Sequence, residues 1–142
     1  MAEQNLKNHT RLVAGYHGLT FLLILGFIGG AVRNVMHSDE SNEYSAWLLL
    51  LLGVILVLLF FFIRIFALKA QDRAIRAEEG LRYFQLTGKR LPQQLQIGQI
   101  IALRFAPDDE LPALVERALT EKLGSKAIKE QIRNWRGDYH RV

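Results

Sequence analysis

The sequence predicts an all-α membrane protein: a two-helix transmembrane hairpin, its second helix extended into the cytoplasm, followed by a small three-helix C-terminal region. Three observations carry this. Leu12 to Val32 and Tyr44 to Ile63 are runs of 21 and 20 residues without Lys, Arg, Asp or Glu. A hydrocarbon core about 30 Å thick needs about 20 helical residues, so each run is long enough to span. After Ile63 the chain becomes densely charged, IRIFALKAQDRAIRAEEGLRYF, with no proline or turn signal before Gly88. One helix is therefore expected to leave the apolar phase and continue into water.

The expected organisation is an N-terminal arm over 1–11, a first span over 12–36, a short external loop over 37–43 and a second span over 44–65. A stalk helix over 66–87 and a small helical domain over 91–142 complete it. Basic Lys7 and Arg11 before the first run also fit a cleavable leader. Against that, the run is longer than the usual h-region of about 7–15 residues, and GGAVRNVMHSDE offers no clear small-x-small cleavage site.

Charge sets the expected orientation. The loop Arg33 to Glu43 holds one basic and three acidic residues, whereas residues 64–90 hold seven basic and three acidic ones. Basic residues beside spans favour the cytoplasmic side, which puts both termini inside and the loop outside. Tyr16, Tyr44 and Trp47 suit the interfacial aromatic belt.

The first span carries Gly15, Gly18, Gly26, Gly29 and Gly30. At about 100° per residue they share one side of a helix with Arg33, and Gly26 with Gly30 forms the G-x-x-x-G spacing that lets membrane helices approach closely. That face is expected to pack on the second span, on another copy, or on a different membrane protein. The second span is bulky all round, with Gly53 its one point of close approach. Neither span has a central ionisable group, which disfavours proton or ion relays. His17 reads as an interfacial histidine rather than a sensor.

In the stalk, Ala67, Ala70, Ala74, Ala77, Leu81 and Phe84 repeat at steps of 3 and 4, a heptad seam of mostly small side chains. Asp72 with Arg76, and Glu78 with Arg82, are acid-before-base pairs at i, i+4. Arg64, Lys69, Arg73 and Arg76 form a basic collar expected to meet anionic headgroups of the lipid bilayer. Gly88 is the expected stop, with Pro92 beyond it.

Beyond Pro92, three short amphipathic helices are expected. Ile97, Ile100, Ile101 and Phe105 mark the first. Leu111, Leu114, Val115, Ala118, Leu119 and Leu123 mark the second, with Asp108, Asp109 and Glu110 at its start and Gly124 as its stop. Ser125 is placed to cap the third, on which Ile128, Ile132 and Trp135 share a face. About fifty residues make a marginal core alone, so these helices should pack on the stalk, a membrane surface or a second subunit.

No catalytic, cofactor-binding or metal site is expected. There is no cysteine, the four histidines are isolated, and neither a phosphate loop nor G-x-S-x-G occurs. Nucleic acid is an unlikely partner, because acidic residues interleave the collar and the basic last segment has no clustered base-reading face.

The stretches LKNHTRLV, ALKAQDRAIRAEEGLRYFQLTGKRLP, QIIALRFAPDDELPALVERAL and IRNWRGDYHRV resemble a bacterial family of small two-span membrane proteins of unknown function. That resemblance implies a bacterial inner-membrane location with a cytoplasmic helical tail, and no activity. The function expected is a non-enzymatic membrane scaffold or accessory subunit, as a homo-oligomer or with another membrane protein. A small oligomeric, holin-like pore and a membrane-tethered nucleic-acid binder are the alternatives.

Overall fold

The computed structural model describes Leu6 and residues 13–138. The rest of the expected arm, with Lys7 and Arg11, and the terminal Tyr139, His140 and Arg141 lie outside the described residues. Among the described residues the chain is wholly helical. A π-helical turn, Ala14–Thr20, leads into α1 (Phe21–His37), and α2 runs from Glu43 to Thr87 as one helix of 45 residues. Three short helices follow: α3 (Ile97–Leu103), α4 (Leu111–Thr120) and α5 (Ser125–Gln131). Helices α1, with the π-turn before it, and α2 are long and apolar enough to cross a membrane. The described residues from 13 onward divide into two compact units, 13–67 and 68–138.

Within residues 13–67, α1 folds back along α2 after a turn at 38–42. The close approach is made by Gly53: a Cβ there would stand 3.0 Å from Ile28 Cγ1 and 3.6 Å from the Phe27 ring. Ala31 and Ala46 are buried in the same hairpin. Near the other end the Tyr16 ring stacks on Phe60 at 4.4 Å, and its hydroxyl donates to the Phe60 carbonyl. This bond gives the phenol a partner among apolar side chains, where an unpaired hydroxyl is costly.

The start of the first apolar helix departs from the α geometry expected for it. Ala14–Thr20 is a π-turn, in which i to i+5 bonding widens each turn, and the Thr20 hydroxyl donates to the Gly15 carbonyl at 3.0 Å. The 100° projection that aligned Gly15 and Gly18 with Gly26 and Gly29 therefore does not apply to the first two. His17 caps this turn, its Nδ1 lying 3.1 Å from both the amide nitrogen and the carbonyl oxygen of Val13.

Within residues 68–138 the three short helices close a core on the last five turns of α2. Ile75 and Tyr83 enter it from α2, and Leu95, Ile100, Leu103, Phe105, Leu111, Val115, Ala118 and Ile128 fill it. At roughly 25 cal/mol per Å² of apolar surface removed from water, side chains of this size each contribute on the order of 2 kcal/mol when buried. The tail supplies most of this core itself, and α2 adds Ile75 and Tyr83.

The caps differ in several places from those the sequence suggests. Gly88 does take the left-handed φ of 69° that ends α2, but α4 ends at Thr120 and its left-handed residue is Lys122, φ 50°, rather than Gly124. Gly124 instead precedes α5 in extended geometry, φ −74° and ψ 165°, and Ser125 is the first helical residue, not its cap. The third helix ends at Gln131, so Trp135 reaches the core from an extended segment and packs on Phe105 at 4.9 Å. Gln99 accepts the Gln96 amide at 2.8 Å at the start of α3 and donates to the Leu123 carbonyl at 2.8 Å. A single amide side chain so joins α3 to the link between α4 and α5.

Candidate interaction surfaces

Arg82 is the polar centre of the 68–138 unit. Its Nη1 meets Glu79 Oε2 at 3.0 Å, its Nη2 reaches the Ala106 carbonyl at 2.7 Å, and its Nε and Nη2 contact Asp108 Oδ1 at 2.7 and 2.6 Å. The planar guanidinium thereby ties α2 to the turn between α3 and α4 through two acceptors there, Asp108 and the Ala106 carbonyl, while Glu79 holds it from α2 itself. The expected i, i+4 partner Glu78 is exposed, and the nearly buried carboxylate is Glu79, one residue on and about 100° round the helix. Likewise Arg76 does not turn to Asp72; its Nη2 donates to the Leu95 carbonyl at 3.2 Å.

Two further polar contacts hold the segment after α5. Glu110 accepts the amides of Arg133 and Asn134 at 3.0 and 3.1 Å, so its carboxylate is a clasp on a distant strand of chain as well as a charge at the start of α4. Asp138 Oδ2 meets buried Arg104 Nη1 at 2.8 Å, while the Arg104 guanidinium lies 4.8 Å from the centre of the Phe105 ring. Sequence spacing gave no signal for either, because both partners are more than twenty residues apart. Glu110, Arg133 and Asn134 also line a shallow open pocket with Arg117 and Gln131, while Arg82 and Arg104 are turned into contacts within the fold.

Arg117 and Glu121 form an exposed i, i+4 pair at 2.9 Å on α4. The hydrogen bond from Arg117 holds the Glu121 carboxyl below the ordinary carboxylate value, and that bond to Glu121 raises Arg117 in turn. Among the described residues no group of three His, Asp or Glu side chains stands close enough to hold a metal ion.

Most of the residues singled out by spacing are left uncovered by the rest of the chain. A Cβ added at Gly15, Gly18, Gly26, Gly29 or Gly30 would meet no atom within 4 Å. Inside α1 the side that packs on α2 carries Ile24, Phe27, Ile28, Ala31 and Val35, whereas Gly26, Gly29 and Gly30 centre about 160° away. Intramolecular packing, one of the expected uses of this glycine face, is therefore made instead by the opposite side of α1 with Gly53.

The same separation holds on α2. In the 68–138 unit its covered residues are Leu68, Gln71, Asp72, Ile75, Glu79, Arg82 and Tyr83, with Gly80 and Thr87 half-covered at the edge of that stripe. The seam lies opposite: Ala70, Ala74 and Ala77 are exposed, Leu81 is 60% and Phe84 51% exposed, and only Ala67 is half-buried. The tail packs on α2 but leaves the heptad seam bare. Of the collar, Arg64 is half-buried, Lys69 and Arg73 are exposed, and Arg76 is exposed while bonded to the tail.

Residues 1–142 match a family of unknown function, DUF6526. The chain belongs to this family. No curated protein matches it, and neither does any solved structure. The match to DUF6526 covers the two apolar helices and the tail alike.

Proposed function

We propose that this DUF6526 chain is an integral membrane scaffold or accessory subunit, spanning a bacterial cytoplasmic membrane twice with both ends in the cytoplasm. Exposure supports the membrane reading. Leu22 and Leu23 are 65% and 64% exposed, and Phe61, Phe62 and Ile63 about half, so these helices lack the cover that a water-soluble core helix needs. Lipid supplies that cover. The acidic loop and the basic residues after Ile63 support the orientation, and Arg64 and Lys69 are placed to reach headgroup phosphates.

The observation that carries the scaffold reading is the open glycine face of α1. In lipid, helices associate through close packing, and small residues permit it. Here Gly26, Gly29 and Gly30 present backbone on the side of α1 that the hairpin leaves uncovered. The combined substitutions Gly26→Ile and Gly30→Ile should weaken association of the full chain, measured by energy transfer between labelled copies or with co-purifying proteins in native membranes. Association left unchanged would remove this face from the argument.

A further inference from the structure

We infer that the bare seam of α2 is the interface for a second copy of this chain, joined as a parallel two-stranded coiled coil in which Arg73 of each copy pairs with Glu78 of the other. The inference deepens the scaffold reading and rests on its membrane orientation, since two copies inserted with the same charge asymmetry necessarily run parallel.

The heptad assignment follows from the seam. With Ala67, Ala74 and Leu81 at a, and Ala70, Ala77 and Phe84 at d, Arg73 falls at g and Glu78 at the next e. In a parallel pair a g residue faces the e residue five positions later on the partner helix. Arg73 and Glu78 are separated by five positions and opposite in charge, and two-fold symmetry makes the contact twice. The other g-to-e contacts join Phe66 with Gln71 and Gly80 with Gln85, so no like charges meet. Within one helix, residues five apart point about 140° away from each other, so the pair cannot close inside the chain. Both residues are exposed.

The occupant must also fit sterically. The seam centres about 160° from the stripe that carries Ile75, Glu79 and Tyr83, so both tails face outward when two seams meet. Alanine at four of the six seam positions allows close backbone approach, and Leu81 and Phe84 supply the large apolar contacts at the far end. Fewer than three heptads are marginal for chains free in water. Confinement to one membrane raises the effective concentration that such a short seam needs.

The chain has no cysteine, so single cysteines report contacts directly. In native membranes, full chains carrying Ala74→Cys, Ala77→Cys or Leu81→Cys should form disulfide-linked dimers under mild oxidation, whereas Lys69→Cys and Arg76→Cys should not. Arg73→Glu or Glu78→Arg alone should lower dimer association about threefold to tenfold, since each replaces two attractions by two repulsions. Mixing copies that carry Arg73→Glu with copies that carry Glu78→Arg should restore it.

Uniform cross-linking at all five positions, cross-linking of the Ala74→Cys copy only to the Leu81→Cys copy, or a cross-linked band of a different protein would each overturn the inference. Failure of the mixed copies to restore association would do so as well. Loss of the stalk contacts beside intact dependence on Gly26 and Gly30 overturns the stalk dimer and leaves the scaffold reading standing. Stalk cross-links that persist when Gly26→Ile and Gly30→Ile have no effect do the reverse.

Discussion

Replacing Arg82 by alanine should loosen the whole tail from α2, and the size of the effect follows from what the guanidinium leaves behind. Glu79 is 7% exposed, so without Arg82 its carboxylate stays in a nearly dry site with no counter-ion, and the Ala106 carbonyl loses its donor. Breaking a buried pair by removing one partner costs about 3–5 kcal/mol. The residual access of Glu79 to water places this site toward the lower end, near 3 kcal/mol, which for a unit of this size lowers the unfolding midpoint by about 12–24 °C. Asp108, with its side chain 67% exposed, is a different kind of partner, and Asp108→Ala should cost less than about 1 kcal/mol.

The assay is thermal unfolding of the detergent-solubilised full chain in a Trp47→Phe background, followed through the fluorescence of Trp135 against Phe105. The double substitution Arg82→Met with Glu79→Met removes both charges and should recover most of the loss. A shift for Arg82→Ala no larger than that for Asp108→Ala, or a double variant as unstable as Arg82→Ala alone, would refute the reasoning.

Gly53→Val should disrupt the hairpin, because its Cβ alone meets Ile28 Cγ1 at 3.0 Å; overpacking of this kind costs about 1–3 kcal/mol, read as a lower thermal midpoint. Gly29→Val, where nothing lies within 4 Å, should leave the midpoint of the isolated chain unchanged. Ile128→Ala empties a fully buried site and should cost about 2–5 kcal/mol in the same Trp135 experiment. Glu121 should titrate below the ordinary carboxylate value by carbon-detected NMR, and Arg117→Gln should raise it. Because that carboxyl is lowered on folding, the pair's small stabilisation is present above the unfolded carboxylate value and fades as pH falls through the folded one. A single cysteine at Ser41 should react with an impermeant thiol reagent added outside intact cells and one at Gln85 should not; the opposite pattern would invert the proposed orientation.

The elements legible from spacing are those whose signal is local. Two uncharged runs of about 20 residues, the left-handed stop at Gly88 and the apolar positions of α3 and α4 are each read from one continuous stretch of chain. What escaped is decided by partners far along the chain. Arg82 reads as the partner of Glu78 at i, i+4, although Glu79 at i, i+3 is equally within reach on one helix, and spacing alone does not choose between them. The tail instead offers Asp108 and the Ala106 carbonyl, and the guanidinium turns toward the covered side, where Glu79 lies. Glu110 reads as a dipole charge, yet its oxygens hold the amides of Arg133 and Asn134.

The stalk shows why the seam could be seen while the tail's docking stripe could not. Six small or apolar residues at heptad spacing are conspicuous among charges. The stripe that the tail covers contains Gln71, Asp72, Glu79 and Arg82, and no scale of apolarity would select it. Arg82 is satisfied there by Asp108 and Ala106 of the tail and Glu79 by Arg82, so the polarity of these two reflects fixed partners within the chain. The seam is the reverse case. It is apolar and uncovered, and a helix cannot be both in water without cost. A chain that buries a charged stripe and leaves Leu81 and Phe84 bare keeps an apolar face for the second copy proposed above, and the charges flanking that face match those of an identical helix.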